Sequence, residues 1–186
     1  MFERALSDVR RRLEAAGLSC LLDTVSRIRE VRQESFHDSR DRSIGLNLAD
    51  VKKPYAAFHN RRYLIVHELG HHFAEVFLGG AGRHAVRPAF GDYDAPYRRL
   101  PRPRTADADH VSRYAMTHPA EDFAETFAVT LWQLWDPHGV RALLSGKSAL
   151  CRAKVTEMGR LIEVQRLRGK PGLLRPIRPG RAPKRA

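Results

Sequence analysis

Apolar residues near the amino terminus recur at the spacing of a helix. They are Phe2, Leu6, Val9, Leu13 and Ala16. Steps of three and four residues place side chains on one face of an α-helix, and Gly17 ends the pattern. The sequence therefore predicts an amphipathic helix over residues 3–16.

Two segments between Thr24 and Val51 contain short β-branched and alternating runs. Their sequences are TVSRIREVRQES and RSIGLNLADV, and the polar FHDSRD separates them. Such runs, bounded by polar residues, are typical of short strands. We therefore expect two or three strands of a small sheet in this part of the chain.

A strongly apolar segment follows, with the sequence YLIVHELGHHFAEVFLGG from Tyr63 to Gly80. Asn60 has the type of side chain that caps the amino end of a helix, and Gly79 and Gly80 are typical of a helix end. We expect a helix from Arg61 to Leu78.

The remaining pattern divides into an irregular part and two helical parts. Residues 79–117 are rich in Gly, Pro, Arg and Asp and lack periodicity, which predicts a long functional loop or lid. HPAEDFAETFAVTLWQLW then resumes helical spacing, with Pro119 at its start. Cys151, Val155, Met158 and Ile162 lie at steps of four, three and four. They predict a last helix packed on the domain, with Cys151 as a buried structural thiol.

Length and composition favour one folded domain. A chain of 186 residues can bury a core without disulfides, and Cys20 and Cys151 lie far apart without a CxxC pattern. Charges are scattered through the amino-terminal MFERALSDVRRRLEAAG, and no run of about 18 apolar residues occurs. We therefore expect a cytoplasmic protein with no membrane span.

Positive charge accumulates toward the carboxyl end. The formal net charge is +12, and residues 164–186 contain eight Lys or Arg and no Asp or Glu. Residues 169–186 are rich in Pro and Gly, which predicts a disordered basic tail. A solvated terminus is the simpler interpretation of this tail. A weak contact with nucleic acid or another polyanion is the functional one.

The apolar helix carries a metal-binding pattern. Residues four apart on an α-helix differ by about 40° around its axis, so His67 and His71 can both reach one zinc ion. Glu68 lies about 100° from His67, too far round to be an easy ligand but close enough to touch a water held by the metal. This geometry predicts that Glu68 is the general base. The alternative is a helix whose histidines are satisfied in a core or on the surface.

The third ligand distinguishes the classes of zinc peptidase. Metzincins need Gly and His where this chain has Ala74 and Phe77, so that class is excluded. Glu121 and Glu125, four apart on the later helix, allow one carboxylate to bind the metal and the other to orient a ligand histidine. The competing third ligands are His84, His110 and His118. His72 points away from His71 and is assigned to packing or a supporting hydrogen bond.

Three motifs together resemble a known family. IGLNLAD, VHELGHHFAEV and SRYAMTHPAEDFAETFAVTL are similar to the bacterial zinc-binding metallopeptidase family of gluzincin type, over roughly residues 40–135. The later helix and its tyrosine also resemble the catalytic domain of lethal-factor-like endopeptidases. This resemblance implies that Glu121 binds zinc, that Glu125 supports a ligand histidine and that Tyr114 assists the reaction.

The resemblance also implies a fold and an activity. The expected fold is a small α+β zincin-like domain over residues 1–168, with a short mixed sheet packed on the HExxH helix and a second Glu-bearing helix. The expected enzyme is a zinc endopeptidase with one Zn²⁺ per chain and a protein or peptide substrate. Two histidines and one carboxylate would leave a fourth zinc position for water, which Glu68 would deprotonate. Zinc and Tyr114 would share the developing oxyanion.

The strand IGLNLAD precedes the HExxH helix in the sequence. By analogy and position, we expect it to be an exposed edge that pairs with an extended substrate.

Two other functions remain open. One is a regulatory, repressor-cleaving metallopeptidase of the immunity type, although AETFAVTLWQLW lacks the Leu-Met-Pro ending usual there and no helix-turn-helix is evident. The other is a non-catalytic, zinc-stabilised module whose basic tail contacts nucleic acid. Glu68 argues against the second, because holding zinc does not require it.

Overall fold

Two helices that contact each other extensively form the centre of the fold, one with the two motif histidines and one with the two glutamates. The computed structural model describes residues 2–52, 56–97 and 107–168. Its helices are α1 Glu3–Ala15, α2 Cys20–Asp23, α3 Arg61–His72, α4 Gly79–Phe90, α5 Pro119–Trp132, α6 Pro137–Ser145 and α7 Ala149–Arg168. Its strands are β1 Arg27–Glu30, β2 Phe36–Asp38 and β3 Ser43–Leu46. The fold is therefore mixed α+β, mostly helical with a small sheet.

The predicted first helix and small sheet are confirmed, with β1 and β3 in the two expected segments, but β2 lies in the polar FHDSRD that was expected to separate them. The strands form one sheet in the order β1-β3-β2, with β1 parallel and β2 antiparallel to β3. The expectation that IGLNLAD is an exposed edge is wrong, since β3 is the central strand and all four of its residues are buried. Ile44 and Leu46 have no exposed surface, so burial of these side chains favours the central position.

The histidine helix begins as predicted and continues differently. Asn60 caps α3, its side chain accepting a hydrogen bond from the backbone N–H of Arg62. Helical structure runs on to Leu78, but Phe73–Leu78 form a π-helical segment. The predicted end at Leu78 is confirmed, since Gly79 is the C-cap of this segment, and α4 begins at the same residue. Gly79 has a positive φ of 61°, a conformation that glycine adopts without strain, and the chain changes direction at this residue.

The predicted loop over residues 79–117 is wrong for its first part. Residues 79–90 are helical, and Val86 and Phe90, four apart, are buried. The Phe90 ring packs edge-on against Phe123 of α5, with centroids 5.1 Å apart. This burial supports a helix that Gly- and Pro-rich local sequence does not favour.

The later helices tie the carboxyl half to the centre. Pro119 occupies the first turn of α5, as predicted, and His118, which the sequence offered only as a competing metal ligand, caps this helix. The predicted last helix is α7, in which Cys151 is buried. The Lys154 ammonium of α7 lies 2.6 Å from an Asp122 oxygen of α5, both side chains being buried. This ion pair connects α7 to the glutamate helix next to Glu121.

Aromatic packing holds the two central helices together. Phe73, at the end of α3, lies 5.1 Å from Phe127 and 6.4 Å from Phe123, measured between ring centroids. All three rings have no exposed surface. Such contacts between large buried rings make the separation of the helices hard to change.

Several expectations remain predictions. The basic tail over residues 169–186 lies outside the described residues, so its disorder and its nucleic-acid contact are untested. No helix among the described residues is both long enough and apolar enough to cross a membrane. The cytoplasmic location is also still a prediction.

Candidate metal centre

Helix α3 presents two histidines one turn apart. The His67 and His71 rings face each other edge to face, with centroids 5.1 Å apart. Their spacing follows from helical periodicity, which puts residues four apart on one face. His67 is buried, and His71 is partly exposed at the wall of a cleft. One face of α3 thus offers two imidazole nitrogens side by side.

Helix α5 brings a carboxylate to these nitrogens. Oε2 of Glu121 lies 3.2 Å from Nε2 of His67 and 3.5 Å from Nε2 of His71. The ligand atoms of the three residues all lie within 4.8 Å of one another. They form the only such group of His, Cys, Asp and Glu in the part of the chain that the structure describes.

A glycine permits this close approach of the helices. A Cβ atom built on Gly70 of α3 would lie 2.9 Å from Cα and 3.0 Å from the carbonyl oxygen of Ala124 of α5. Real Cβ atoms essentially never approach backbone so closely. Gly70, one residue before His71, and Ala124, between the two glutamates, therefore set how near the imidazoles come to the carboxylates.

Glu125 fixes the orientation of the His67 ring. Its Oε1 lies 2.9 Å from Nδ1 of His67, and its Oε2 accepts a hydrogen bond of 3.1 Å from the backbone N–H of Ala57. With Nδ1 hydrogen-bonded to this carboxylate, Nε2 is the nitrogen that faces Glu121. Metal-binding histidines are typically oriented in this way.

His71 has a comparable partner. Its Nδ1 lies 3.1 Å from the Tyr93 hydroxyl, so its Nε2 also faces Glu121. Tyr93 belongs to the region predicted to be an irregular loop. No periodic signal marked it, and sequence reasoning missed it.

Burial makes the charges of the site strongly interdependent. Burial disfavours the charged His67 ring, but its contacts with Glu121 and Glu125 outweigh this and hold the pKa of His67 well above its usual value. Burial also opposes charge on Glu121, but the facing His71 and His67 rings hold the pKa of its carboxyl well below the usual range. The carboxylates therefore favour positive charge at the point where the two Nε2 atoms meet.

The donor set fits a divalent cation. Oε2 of Glu121 is buried and has no hydrogen-bond partner among the described residues, although both Nε2 atoms lie within 3.5 Å. An unsatisfied buried carboxylate oxygen is costly, and a cation bound by all three atoms would remove that cost. Two imidazoles and one carboxylate are the protein ligands of a common class of catalytic zinc site.

Glu68 and Tyr114 lie in the cleft beside these three residues. The cleft beside His67 has two parts, one of about 40 Å³ toward Phe58 and Val51 and one of about 420 Å³ toward Tyr93 and Asp94. Glu68 and Tyr114 line both parts. Glu68 is 4 % exposed, and burial raises the pKa of its carboxyl.

The Tyr114 ring packs against the His67 ring in a tilted arrangement, with centroids 5.5 Å apart. Burial, followed by the charge of Glu121, raises the pKa of its phenol far above the usual range. The phenol therefore stays protonated and can donate a hydrogen bond.

The competing histidines are engaged elsewhere. Nδ1 of His118 accepts a hydrogen bond from the backbone N–H of Ala120, and its Nε2 contacts the Ala95 carbonyl at 3.0 Å. His110 contacts Asp107 at 2.8 Å, and His84 is exposed on α4. None of the three belongs to the group that converges on Glu121.

Tyr97 was not recognised in the sequence. Its hydroxyl donates a hydrogen bond to Oε1 of Glu121, and its ring stacks on His118 with centroids 4.2 Å apart. It follows the helix α4 that sequence reasoning missed, and no local pattern distinguishes it. Tyr97 occupies one oxygen of Glu121 while the other oxygen faces the histidines.

Residues 59–141 match a family model described as "Putative zinc-binding metallo-peptidase". This segment, less than half of the chain, is similar to that family. The match includes both helices of the candidate metal centre, and it confirms the resemblance to a zinc-binding metallopeptidase family. A peptidase family implies a hydrolase that acts on protein or peptide. No curated protein and no solved structure matches the chain.

Proposed function

We propose that this protein is a zinc-dependent peptidase of gluzincin type with a zincin-like fold. His67, His71 and Glu121 would hold one zinc ion per chain. The observation that carries the proposal is the position of Glu121 Oε2, 3.2 Å and 3.5 Å from the two Nε2 atoms and without a hydrogen-bond partner among the described residues. The family match over residues 59–141 supports it independently.

Zinc would supply polarisation of the scissile carbonyl and a lower pKa for water. Glu68 would take a proton from the attacking water while the water oxygen forms a bond to the carbonyl carbon. When the C–N bond breaks, Glu68 would pass that proton to the leaving amine. The raised pKa of Glu68 suits both steps, because burial makes the carboxylate a stronger base than an exposed one.

Tyr114 would donate a hydrogen bond to the carbonyl oxygen as negative charge develops on it. Its protonated phenol lines the cleft beside Glu68 and His67. A buried donor aimed at developing charge contributes a few kcal/mol, about 2.7–4 in measured cases. Glu125 would keep the His67 ring in place through its hydrogen bond to Nδ1.

An endopeptidase is what the resemblance to lethal-factor-like endopeptidases implies. The part of the cleft toward Tyr93 encloses about 420 Å³ and has room for substrate chain, whereas the part toward Phe58 encloses only about 40 Å³. Ser35, Phe36 and His37 line one wall, and among the described strands β2 pairs only with β3. An extended substrate would lie along β2, the strand that takes the role expected of β3.

The experiment that tests this proposal is the substitution Glu68→Gln. Peptide hydrolysis should fall by about 10²–10⁴-fold, the usual contribution of a general base. The zinc content should stay at one ion per chain, because Glu68 is not a ligand. Glu157→Gln, on α7, is the matched control and should leave turnover unchanged. Undiminished hydrolysis in Glu68→Gln would disprove the role of Glu68.

The substrate can be sought with the same pair of proteins. Comparing the peptides released from a whole proteome by the wild type and by Glu68→Gln would identify cleaved proteins without assuming a sequence preference. A peptidase with one partner protein would give few cleavage sites, and all of them should be absent with the variant.

A further inference from the structure

A second polar cluster lines the cleft beside the metal centre. It consists of His37 in β2 and Glu75 in the π-helical segment, four residues after His71. Both line the same part of the cleft as His71, Tyr93 and Glu121. Neither has a part in the proposed mechanism.

His37 is held by a chain of hydrogen bonds that reaches across the domain. The Thr24 hydroxyl donates to the Cys20 carbonyl at 2.9 Å, so its oxygen accepts from Nε2 of His72 at 2.8 Å. Nδ1 of His72 lies 3.0 Å from Nε2 of His37. This second contact needs one donor and one acceptor.

The direction of that contact follows from burial. His72 has no exposed surface, and its nitrogens contact the Thr24 hydroxyl and the His37 ring, neither of which carries negative charge. A charge on such a ring would be costly, so His72 is neutral, with its hydrogen on Nε2. Its Nδ1 is then the acceptor, and Nε2–H of His37 donates to it. A neutral His37 ring is left with Nδ1 as a hydrogen-bond acceptor.

That acceptor has no donor in the described structure. Nδ1 of His37 is buried and has no hydrogen-bond partner, in a side chain that is 1 % exposed. Oε2 of Glu75 lies 3.7 Å away, too far for a hydrogen bond between the two. Nδ1 of His37 and Oε2 of Glu75 could therefore accept hydrogen bonds from one donor group placed between them at the wall of the cleft.

The charge of the cleft favours a cationic donor. Although the chain carries 33 Lys and Arg against 21 Asp and Glu, no Lys or Arg is among the described residues that line the cleft. Asp94 is paired with Arg83 at 3.0 Å, and Glu68 and Glu121 face the metal centre. Burial opposes charge on Glu75, but its contacts with His37 and Ser39 lower the pKa of its carboxyl, so Glu75 presents a negative charge to this part of the cleft.

We propose that His37 and Glu75 form a subsite for a cationic N–H group of the substrate, a lysine or arginine side chain close to the scissile bond. The ammonium or guanidinium would donate to Nδ1 of His37 and to the Glu75 carboxylate. This inference rests on the proposed function, because it takes the cleft to be the peptide-binding site. A peptide amino terminus has the same chemistry and is distinguished by the experiment.

The first test measures cleavage preference with a library of amino-acetylated peptides. The wild type should prefer Lys or Arg over Gln at one position near the scissile bond, by about tenfold or more in kcat/KM, as expected for hydrogen bonds to charged groups. Glu75→Gln should abolish most of that preference. His37→Phe, which keeps a ring but removes both nitrogens, should weaken it. Glu157→Gln, on the surface of α7, is the control and should leave it unchanged.

The second test measures binding without hydrolysis. Zinc-loaded Glu68→Gln protein is titrated with fluorescent, acetylated peptides that differ only by Lys or norleucine. Lysine peptides should bind about tenfold more tightly, and adding Glu75→Gln should remove the difference. Unchanged thermal unfolding of the Glu75→Gln protein shows that the loss is not a folding defect.

The outcomes separate this inference from the proposed function. Hydrolysis without a basic preference overturns the subsite and leaves the peptidase proposal intact. No hydrolysis, with binding of lysine peptides that depends on Glu75, supports the subsite and overturns the peptidase proposal. A preference for free over acetylated amino termini assigns the subsite to a terminal amine and overturns the side-chain proposal. Finding a second zinc ion per chain in the wild type, and its loss in Glu75→Gln, would also overturn the side-chain proposal.

Discussion

The hydroxyl of Tyr97 hydrogen-bonds to Oε1 of Glu121, while Oε2 of the same carboxylate faces His67 and His71. The two oxygens of Glu121 therefore have different neighbours. The hydrogen bond from Tyr97 occupies Oε1. It leaves Oε2 as the oxygen that would bind a metal. The stacking of its ring on His118, which caps α5, fixes where the hydroxyl lies.

Tyr97→Phe should weaken zinc binding. The substitution removes the hydrogen bond to Glu121 but keeps the ring on His118, so the zinc dissociation constant should rise about tenfold, as when other supporting hydrogen bonds of zinc ligands are lost. Competition with a fluorescent chelator measures the constant. Tyr97→Ala separates the contribution of the ring from that of the hydroxyl. An unchanged dissociation constant in Tyr97→Phe would show that the hydroxyl does not support the ligand.

Glu125→Gln should also weaken zinc binding, by about 10–100-fold. The amide keeps an oxygen near Nδ1 of His67 but loses the negative charge that orients and polarises the ring. It also changes the acceptor of the Ala57 N–H. Chelator competition measures the loss, with the surface variant Glu163→Gln as control. If the two variants bind zinc equally well, the hydrogen bond between Glu125 and His67 has no role in metal binding.

Gly70→Ala should separate the two central helices. The added Cβ would lie 2.9 Å from Cα of Ala124, and backbone atoms cannot rotate away as a side chain does. We expect a loss of about 1–3 kcal/mol in the free energy of unfolding, together with weaker zinc binding. Urea titration and chelator competition measure the two effects.

Gly80→Ala is the control for this substitution. No atom lies within 4 Å of a Cβ built at Gly80, and the residue lies in helix α4. Its free energy of unfolding should stay the same or rise by up to about 1 kcal/mol, because alanine favours helix. Equal stability of Gly70→Ala and the wild type would contradict the close approach of α3 and α5.

Lys154→Met should destabilise the fold by about 3–5 kcal/mol, because it leaves the buried Asp122 carboxylate without its partner. Urea titration of the zinc-free protein measures the loss. Adding Asp122→Asn to Lys154→Met should recover a large part of it, since the charge is then absent. If the double variant is as unstable as the single one, packing rather than charge explains the effect.

The loss of stability in the single variant Lys154→Met should depend on pH. Burial raises the pKa of Asp122 above its usual value even beside Lys154, and loss of the ammonium raises it further. A carboxyl whose pKa is higher in the folded state reduces stability as the pH rises above the unfolded value. The destabilisation caused by Lys154→Met should therefore be smallest at acidic pH and grow toward neutral pH.

Local periodicity determined the parts of the site that lie on single helices. His67 and His71 share a face because residues four apart do so on any α-helix, and Glu121 and Glu125 share one for the same reason. Asn60 as a cap and Pro119 in a first turn indicated where these helices begin. Chemistry then limited the possible ligands, since two imidazoles and a carboxylate are a common zinc donor set.

Contacts between residues distant in sequence decide two features that local patterns did not predict. Helix α4 forms over a Gly-rich segment because Phe90 packs on Phe123, which no local pattern of residues 79–90 reveals. Strand β3 lies in the middle of the sheet because of its pairing with β1 and β2, and alternation alone does not give the order of strands.

The sequence by itself determined which side chains could bind a metal and on which helical faces they lie. Only the tertiary structure decided that Glu121 faces both Nε2 atoms while Glu125 holds Nδ1 of His67, and that Tyr97, His37 and Glu75 meet at the same cleft. The reason is physical: helical periodicity is a property of neighbouring residues, whereas the distance between two helices depends on what packs between them, here Gly70 against Ala124.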